Sequence, residues 1–227
     1  MIKAIIWDMD GTFINSEDYW TAMPRVWLKK HGIELTDEKW ETAPWRTVGF
    51  RAMLRNIYEM GIVENPEPID EAIVWCKDYM YGTIYQGDQY VKYKPNAPEC
   101  LAAAYALDIP MCLITATIEP VTDYTLDRLG IAHYFCFRQS TANGMKKDNP
   151  EIFRLAAERM GVKVEECLLV EDSLYSMKAG RAAGCTVWAI EDPKHERDLK
   201  VIHQTAHRYF NNHVEMRQAF EELKAQN

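Results

Sequence analysis

Residues 4–12 read AIIWDMDGT, an apolar run that ends in two carboxylates, a glycine and a hydroxyl. Ala4-Ile5-Ile6-Trp7 is continuously apolar rather than alternating, which predicts a β-strand buried on both faces. It runs straight into Asp8 and Asp10, a glycine and a hydroxyl. Burying a carboxylate beyond such a strand is unfavourable by several kcal/mol unless it is paired or metal-bound. In extended chain Asp8 and Asp10 would point the same way. At a separation of about 4 Å and an effective dielectric near 20 they would repel by roughly 4 kcal/mol. A cation is expected between them, unless Asp and Gly merely form a turn here.

Composition narrows the setting. The 227 residues suffice for one large domain, or for a domain with an insertion, and the 48% hydrophobic content is that of an ordinary globular chain. No run approaches the roughly 18–20 apolar residues of a membrane span. The start MIKAIIWDMDG is too short and turns acidic too soon for a signal peptide. A formal charge of −8 argues against a broad nucleic-acid surface. Cysteines 76, 100, 112, 136, 167 and 185 form no Cys-x-x-Cys pair and are expected to be free, buried packing residues. The cytoplasm is the expected location, with no nucleic-acid, membrane or obligate protein partner.

From Pro95 onward strand-like and helix-like segments alternate. Strands are expected at 109–115, 134–137, 167–170 and 186–190. Helices are expected at 120–129, at 150–160, and from the end of the fourth strand through Ala183. Such alternation predicts right-handed βαβ units, hence a doubly wound, Rossmann-like parallel sheet within the α/β class. Residues 16–92 break the rhythm: they are rich in Trp, Met, Tyr and charge, have helical periodicity, and contain no convincing strand. The expected organisation is a core of residues 1–15 and 93–227 with a helical insertion, residues 16–92.

In an open parallel sheet, ligands bind outside the carboxyl ends of the strands. Those ends carry Asp8 and Asp10, then Thr115, then Glu171 and Asp172, while Lys147 lies in the loop before the helix that opens near Pro150. Four carboxylates at one rim need a hard divalent cation, and an oxygen-only set suggests Mg²⁺. Lys147, Thr115 and the backbone N–H groups that follow Thr115 suit a phosphate. Lys146 competes with Lys147 for that task, Thr115 could simply close its strand, and Glu171 could be structural. The six histidines form no metal spacing that coincides with a motif and are read as surface or core residues.

The segments DMDGT, LITAT, GMKKDNPEIF and VEDSLYSMKAGRAAG resemble the four motifs of the haloacid dehalogenase-like superfamily. The helical insertion resembles the cap of its β-phosphoglucomutase-like phosphatase branch. The resemblance implies that Asp8 is the nucleophile and that Asp10 is the general acid and base. It implies that Thr115, the Ala116 N–H and Lys147 hold the phosphoryl group. It places Mg²⁺ on Asp8, the Asp10 carbonyl and Asp172, with Glu171 bound directly or through water. Having Asp10 at the second motif position favours phosphate chemistry over dehalogenation.

Three positions depart from the common pattern: Asn15 for Asp at the hinge, Ser176 for Gly, and Trp20 where sugar phosphomutases carry His. In APWRTVGFR (43–51), Arg46 and Trp45 could contact the substrate, with Trp20 lining the same pocket, or the aromatics could belong to packing. The function expected is a Mg²⁺-dependent phosphatase acting on a small phosphorylated metabolite, sugar phosphates included, through an aspartyl-phosphate. The alternatives are a sugar phosphomutase and a catalytically weak metabolite-binding regulatory protein.

Overall fold

The structure is a computed structural model, and it describes residues 1–16, 19–20, 22–45, 50–86, 90–142 and 144–226. The chain divides into two compact units: residues 1–16 with 91–227, and residues 17–90.

The first unit is built on strands β1 (Ala4–Trp7), β2 (Met111–Thr115), β3 (Phe137–Ser140), β4 (Cys167–Glu171), β5 (Thr186–Ile190) and β6 (Arg208–Phe210). They pair in parallel in the order β3-β2-β1-β4-β5-β6. The helices that follow the strands, one after each, are α5 (Ala97–Tyr105), α6 (Glu119–Arg128), α7 (Glu151–Arg159), α8 (Leu174–Ala183), α9 (Leu199–Thr205) and α10 (His213–Gln226). This is the α/β, Rossmann-like arrangement.

The apolar run of β1 is explained by what lies on each side of it. Ala4 and Ile6 join a cluster with Phe153 of α7, Met177 of α8 and Ile202 of α9. Trp7 turns the other way, onto Phe220 of α10 (ring centroids 5.8 Å apart) and Phe13, and α10 packs along α5. Both faces of the strand are therefore apolar. Gly180 permits the close approach of α8 to the sheet, because a Cβ there would lie 2.3 Å from Leu169 Cδ2.

Two expectations shift. The apolar run 134–137 is not the third strand: Ala132–Tyr134 is a 3₁₀ turn with Tyr134 stacked on Tyr105 at 4.4 Å, and β3 begins at Phe137. As an edge strand, β3 keeps only Phe137 buried and runs on through the polar Arg138-Gln139-Ser140. Cys136, just before it, is exposed rather than buried, while the other five cysteines are free and buried as expected.

The second unit contains helices α1 (Met23–Lys30), α2 (Asp37–Glu41), α3 (Phe50–Glu59) and α4 (Ile69–Ile84), with no strand among its described residues. Pro24 opens α1 from its first turn, and the Thr36 hydroxyl accepts from Lys39 N–H to cap α2. Its core gathers Trp27, Trp40, Trp45, Leu54, Ile57 and Cys76 with their neighbours. Within the first unit, the two segments that lead to and from residues 17–90 pair with one another. Asn15 N–H donates to Lys92 O at 2.8 Å, and Lys94 N–H donates to Phe13 O at 2.9 Å.

Candidate active site

In the strand order found here the chain switches direction between β1 and β4, and a crevice opens outside the carboxyl ends of those two strands. The register pairs Trp7 with Val170, so the next residues, Asp8 and Glu171, emerge side by side, followed by Asp172. These three carboxylates are buried, and each offers an oxygen within 4.8 Å of the others.

Asp8 is 4% exposed. Lys147 Nζ donates to its Oδ1 at 2.6 Å and Thr12 Oγ1 to its Oδ2 at 2.9 Å. Lys147 also pairs with Glu171 Oε1. Lys146 plays no part in this cluster, because its Nζ donates to Thr141 O and Ala142 O, both at 2.9 Å. The Glu171 carboxylate has a structural duty as well: Oε2 accepts from Asp172 N–H, Ser173 N–H and Ser173 Oγ at 2.6–2.8 Å, which fixes the turn into α8. Only Oε1 remains for another partner. Asp172 takes Thr12 Oγ1 on Oδ1 at 3.2 Å, and on Oδ2 it meets Lys194 Nζ at 2.9 Å and His195 Nε2 at 3.2 Å.

The Asp10 carboxylate is held apart from this trio by threonines. Thr117 Oγ1 donates to Asp10 Oδ2 at 2.7 Å and Thr115 Oγ1 at 3.4 Å. Thr115 is buried at the end of β2, and its hydroxyl also accepts from Thr117 N–H at 3.1 Å. Ala116, between them, is exposed. Gly11 adopts φ +82°, and a Cβ there would lie 2.3 Å from Asp172 Oδ2 and 2.5 Å from Lys194 Nζ. Only glycine fits a loop pressed this closely onto an ion pair.

Two groups outside the acidic trio, one partly and one fully buried, hold the loops in place. Lys94 donates to Gly11 O, to Glu191 O and to Asp192 Oδ2, joining the loops after β1 and β5. His213, 3% exposed, contacts Thr12 O through Nε2 at 2.9 Å, and burial pushes its pKa down to about 4. It is therefore neutral at pH 7, with Nε2–H the donor.

The electrostatics of the trio are unbalanced. Burial is the largest influence on Asp8 and raises its pKa well above the usual carboxylate range. Lys147 opposes this, while Glu171 and Asp172 reinforce it. Burial also disfavours the charge on Asp172, but His195 and Lys194 outweigh it and hold the pKa well below the usual range. Lys147 is held above its ordinary value by Asp8 and Glu171 despite burial. Glu171 Oε1 and Asp172 Oδ2 are buried, and neither accepts a well-directed hydrogen bond. Three crowded oxygen donors carrying surplus negative charge suit a hard divalent cation. Asp8, Glu171 and Asp172 are thus the side chains that could hold one.

The family model of the haloacid dehalogenase-like hydrolases matches residues 2–184. The chain belongs to this family. It is a hydrolase, and within the family it stands with the phosphatases. Phosphoglycolate phosphatase of Escherichia coli O157:H7 is 27% identical over 204 residues, covering 81% of this chain and 79% of the relative. A family hydrolase from Deinococcus radiodurans R1, solved with bound phosphate and sodium, shares the fold with a TM-score of 0.73 at 22% identity, over 97% of this chain and 96% of that one. A β-phosphoglucomutase from Clostridium difficile does so with a TM-score of 0.68 at 20% identity, over 100% and 98%.

Sequence reasoning missed Thr12, Thr117, Lys194 and His195. Thr12 and Thr117 lie inside motifs already singled out. Lys194 follows the carboxyl end of β5, so the rule that located Asp8 and Glu171 would have found it had β5 been followed to its end. In the helical unit Trp45 is buried against Trp40, with ring centroids 5.6 Å apart, so its face serves packing. Trp20 sits edge-on to Tyr19, Tyr81 and Tyr90. Arg46 lies outside the described residues. No helix among the described residues is long and apolar enough to cross a membrane.

Proposed function

We propose that this hydrolase is a Mg²⁺-dependent phosphatase that removes phosphate from a small phosphorylated metabolite through an aspartyl-phosphate on Asp8. The observation that carries this reading is the buried Asp8 carboxylate, held by Lys147 and Thr12 at the switch point beside Glu171 and Asp172. Asp8 attacks phosphorus, and the ester oxygen leaves. The Asp10 carboxyl, oriented by Thr117 and Thr115, gives that oxygen its proton. Asp10 then takes a proton from the water that attacks the phosphorus of the acyl phosphate, which restores Asp8 and releases inorganic phosphate. Thr115, the Ala116 N–H and the Lys147 ammonium hold the equatorial oxygens while charge develops on them. Asp8, Asp172 and the Asp10 carbonyl, with Glu171 directly or through water, would hold Mg²⁺, which supplies neutralising charge to nucleophile and phosphate. Residues 17–90 act as a cap that selects the leaving group and excludes water.

The likeness to phosphoglycolate phosphatases supports a small phosphorylated acid as substrate, with sugar phosphates as the other class to test. The test is phosphate release from a panel of such esters, phosphoglycolate and hexose phosphates included, in Mg²⁺ buffer and after chelation. Ca²⁺, which accepts more ligands at longer distances, is expected to inhibit. Undiminished turnover after chelation would remove the metal from this reading, and no release from any ester would remove the phosphatase. Interconversion of hexose phosphates in the presence of a bisphosphate primer would identify a mutase instead.

A further inference from the structure

Two lysines face the acidic trio, and they are held differently. Lys147 is 3% exposed and locked between Asp8 and Glu171. Lys194 approaches from the 3₁₀ turn Pro193–Asp198, and its side chain remains 31% exposed. Its Nζ lies 2.9 Å from Asp172 Oδ2, directly over the Gly11 backbone. The loop beneath it is the one that carries Asp8 and Asp10. The ammonium therefore stands on an oxygen of the metal-binding trio, at the side where that trio meets the β1 loop.

We propose that Lys194 is a resident counter-cation of the metal centre: it neutralises Asp172 in the metal-free enzyme, and a divalent cation must displace it to bind. The inference rests on the metal reading given above. Counting the lysines alone, with His195 Nε2 also 3.2 Å from the same Asp172 oxygen, three carboxylates against two ammonium groups leave one surplus negative charge, and loss of Lys194 raises that surplus to two. A divalent ion beside the same oxygen would repel Lys194 twice as strongly as a monovalent one at equal distance. Lys147, enclosed on all sides, has nowhere to go; Lys194, partly in solvent, can leave. The metal affinity of the enzyme is thereby set lower than its carboxylates alone would give, and metal binding is coupled to movement of the turn after β5.

The test compares the full chain with Lys194→Met, which keeps length and removes charge. Titration calorimetry with MgCl₂ should show binding to Lys194→Met tightened by about tenfold or more, equivalent to about 1.4 kcal/mol. Thermal unfolding in EDTA should occur at lower temperature in Lys194→Met than in the wild type, and the gap should close at saturating Mg²⁺. Lys194→Arg should retain the wild-type affinity. Lys194→Gln, expected to tighten binding in the same way, substitutes if the Met variant does not fold. Unchanged or weaker Mg²⁺ binding in the charge-free variants, with wild-type binding intact, overturns this inference alone. If the wild type binds no better than Asp172→Asn, the metal reading falls and the inference with it.

Discussion

Both units set a carboxylate among basic side chains, buried in the core unit and partly exposed in the helical one, and they complete the arrangement differently. In the helical unit, Glu67 accepts from Lys30 Nζ at 2.6 Å and Trp27 Nε1 at 3.2 Å on one oxygen, and meets His31 Nε2 at 3.0 Å on the other. Burial opposes its charge, but Lys30 and the remaining donors prevail and bring the pKa down to about 2. Around it Trp27 stacks near Tyr58, and Lys30 lies over the Trp75 ring at 4.4 Å. One charge meets a full set of donors, and the result is a structural tie. In the core, three carboxylates share two lysines and His195, Asp8 is pushed up, and two oxygens lack a directed hydrogen bond. A cluster left short of positive charge in a buried place lowers stability, and such sites are where chemistry is found.

The largest effect expected from this contrast is kinetic. Asp8→Asn is nearly isosteric yet cannot attack phosphorus, so turnover should fall by at least about 10⁴-fold, roughly 5.4 kcal/mol of transition-state stabilisation. Circular dichroism should be unchanged. Retention of more than about a hundredth of the rate would take Asp8 out of its role.

The next effect is on stability, and it separates the two clusters directly. Lys147→Met leaves Asp8 and Glu171 buried without their shared cation and should lower unfolding free energy by about 3–5 kcal/mol. Lys30→Met, at a side chain 33% exposed, leaves Glu67 with two other donors and should lower it by only about 1 kcal/mol. Urea unfolding of both variants without metal measures the difference. Equal losses would mean that the clusters are energetically alike.

Acid should also distinguish the units. His213 has its folded pKa near 4 against an ordinary 6.5, so it remains neutral in the folded state at pH values where the unfolded chain is already protonated. Its contribution is full above pH 6.5 and is lost as pH falls toward 4, by up to about 3 kcal/mol. Glu67 has its folded pKa near 2 against 4.5, so its contribution is full above pH 4.5 and lost as pH falls toward 2. His213→Gln, whose amide N–H can still reach Thr12 O, should flatten the melting-temperature profile between pH 6.5 and 4. Glu67→Gln should flatten it only below about pH 4.5. A His213→Gln profile parallel to the wild type would show that this histidine does not drive the acid loss.

The ends of β1, β2 and β4 were legible because a continuous apolar run leads to each, so the first polar residues beyond it are marked by position. Asp8, Thr115, Glu171 and Asp172 are found by that reading alone. The third strand was misplaced for the converse reason: at a sheet edge the pattern weakens, and the apolar residues before Arg138 drew the strand forward. β6, with three residues and only Phe210 buried, leaves no pattern at all. The pairing of Lys194 and His195 with Asp172, like the separation of Asp10 from the other carboxylates, depends on how loops fold over one another, which residue spacing does not encode.

The smallest effect concerns the helical unit, where the comparison predicts selection rather than chemistry. The core side chains proposed to act in the reaction would engage the phosphoryl group alone, which leaves the rest of the substrate to be read elsewhere. Of the residues proposed for that task, Trp45 is committed to packing against Trp40, which leaves Arg46 of the Trp45-Arg46-Thr47 segment as the charged candidate. If its guanidinium contacts the leaving group, Arg46→Ala should reduce kcat/KM for the preferred metabolite by about 1.5–3 kcal/mol, the range of a hydrogen bond to a charged group. A small aryl phosphate, whose leaving group lacks the polar substituents that Arg46 would grip, should be cleaved by both proteins at nearly the same rate. The ratio of the two losses decides the matter, because a fold or closure defect lowers both substrates together. Equal losses would place Arg46 in the architecture of residues 17–90 and return the question of selectivity to the core.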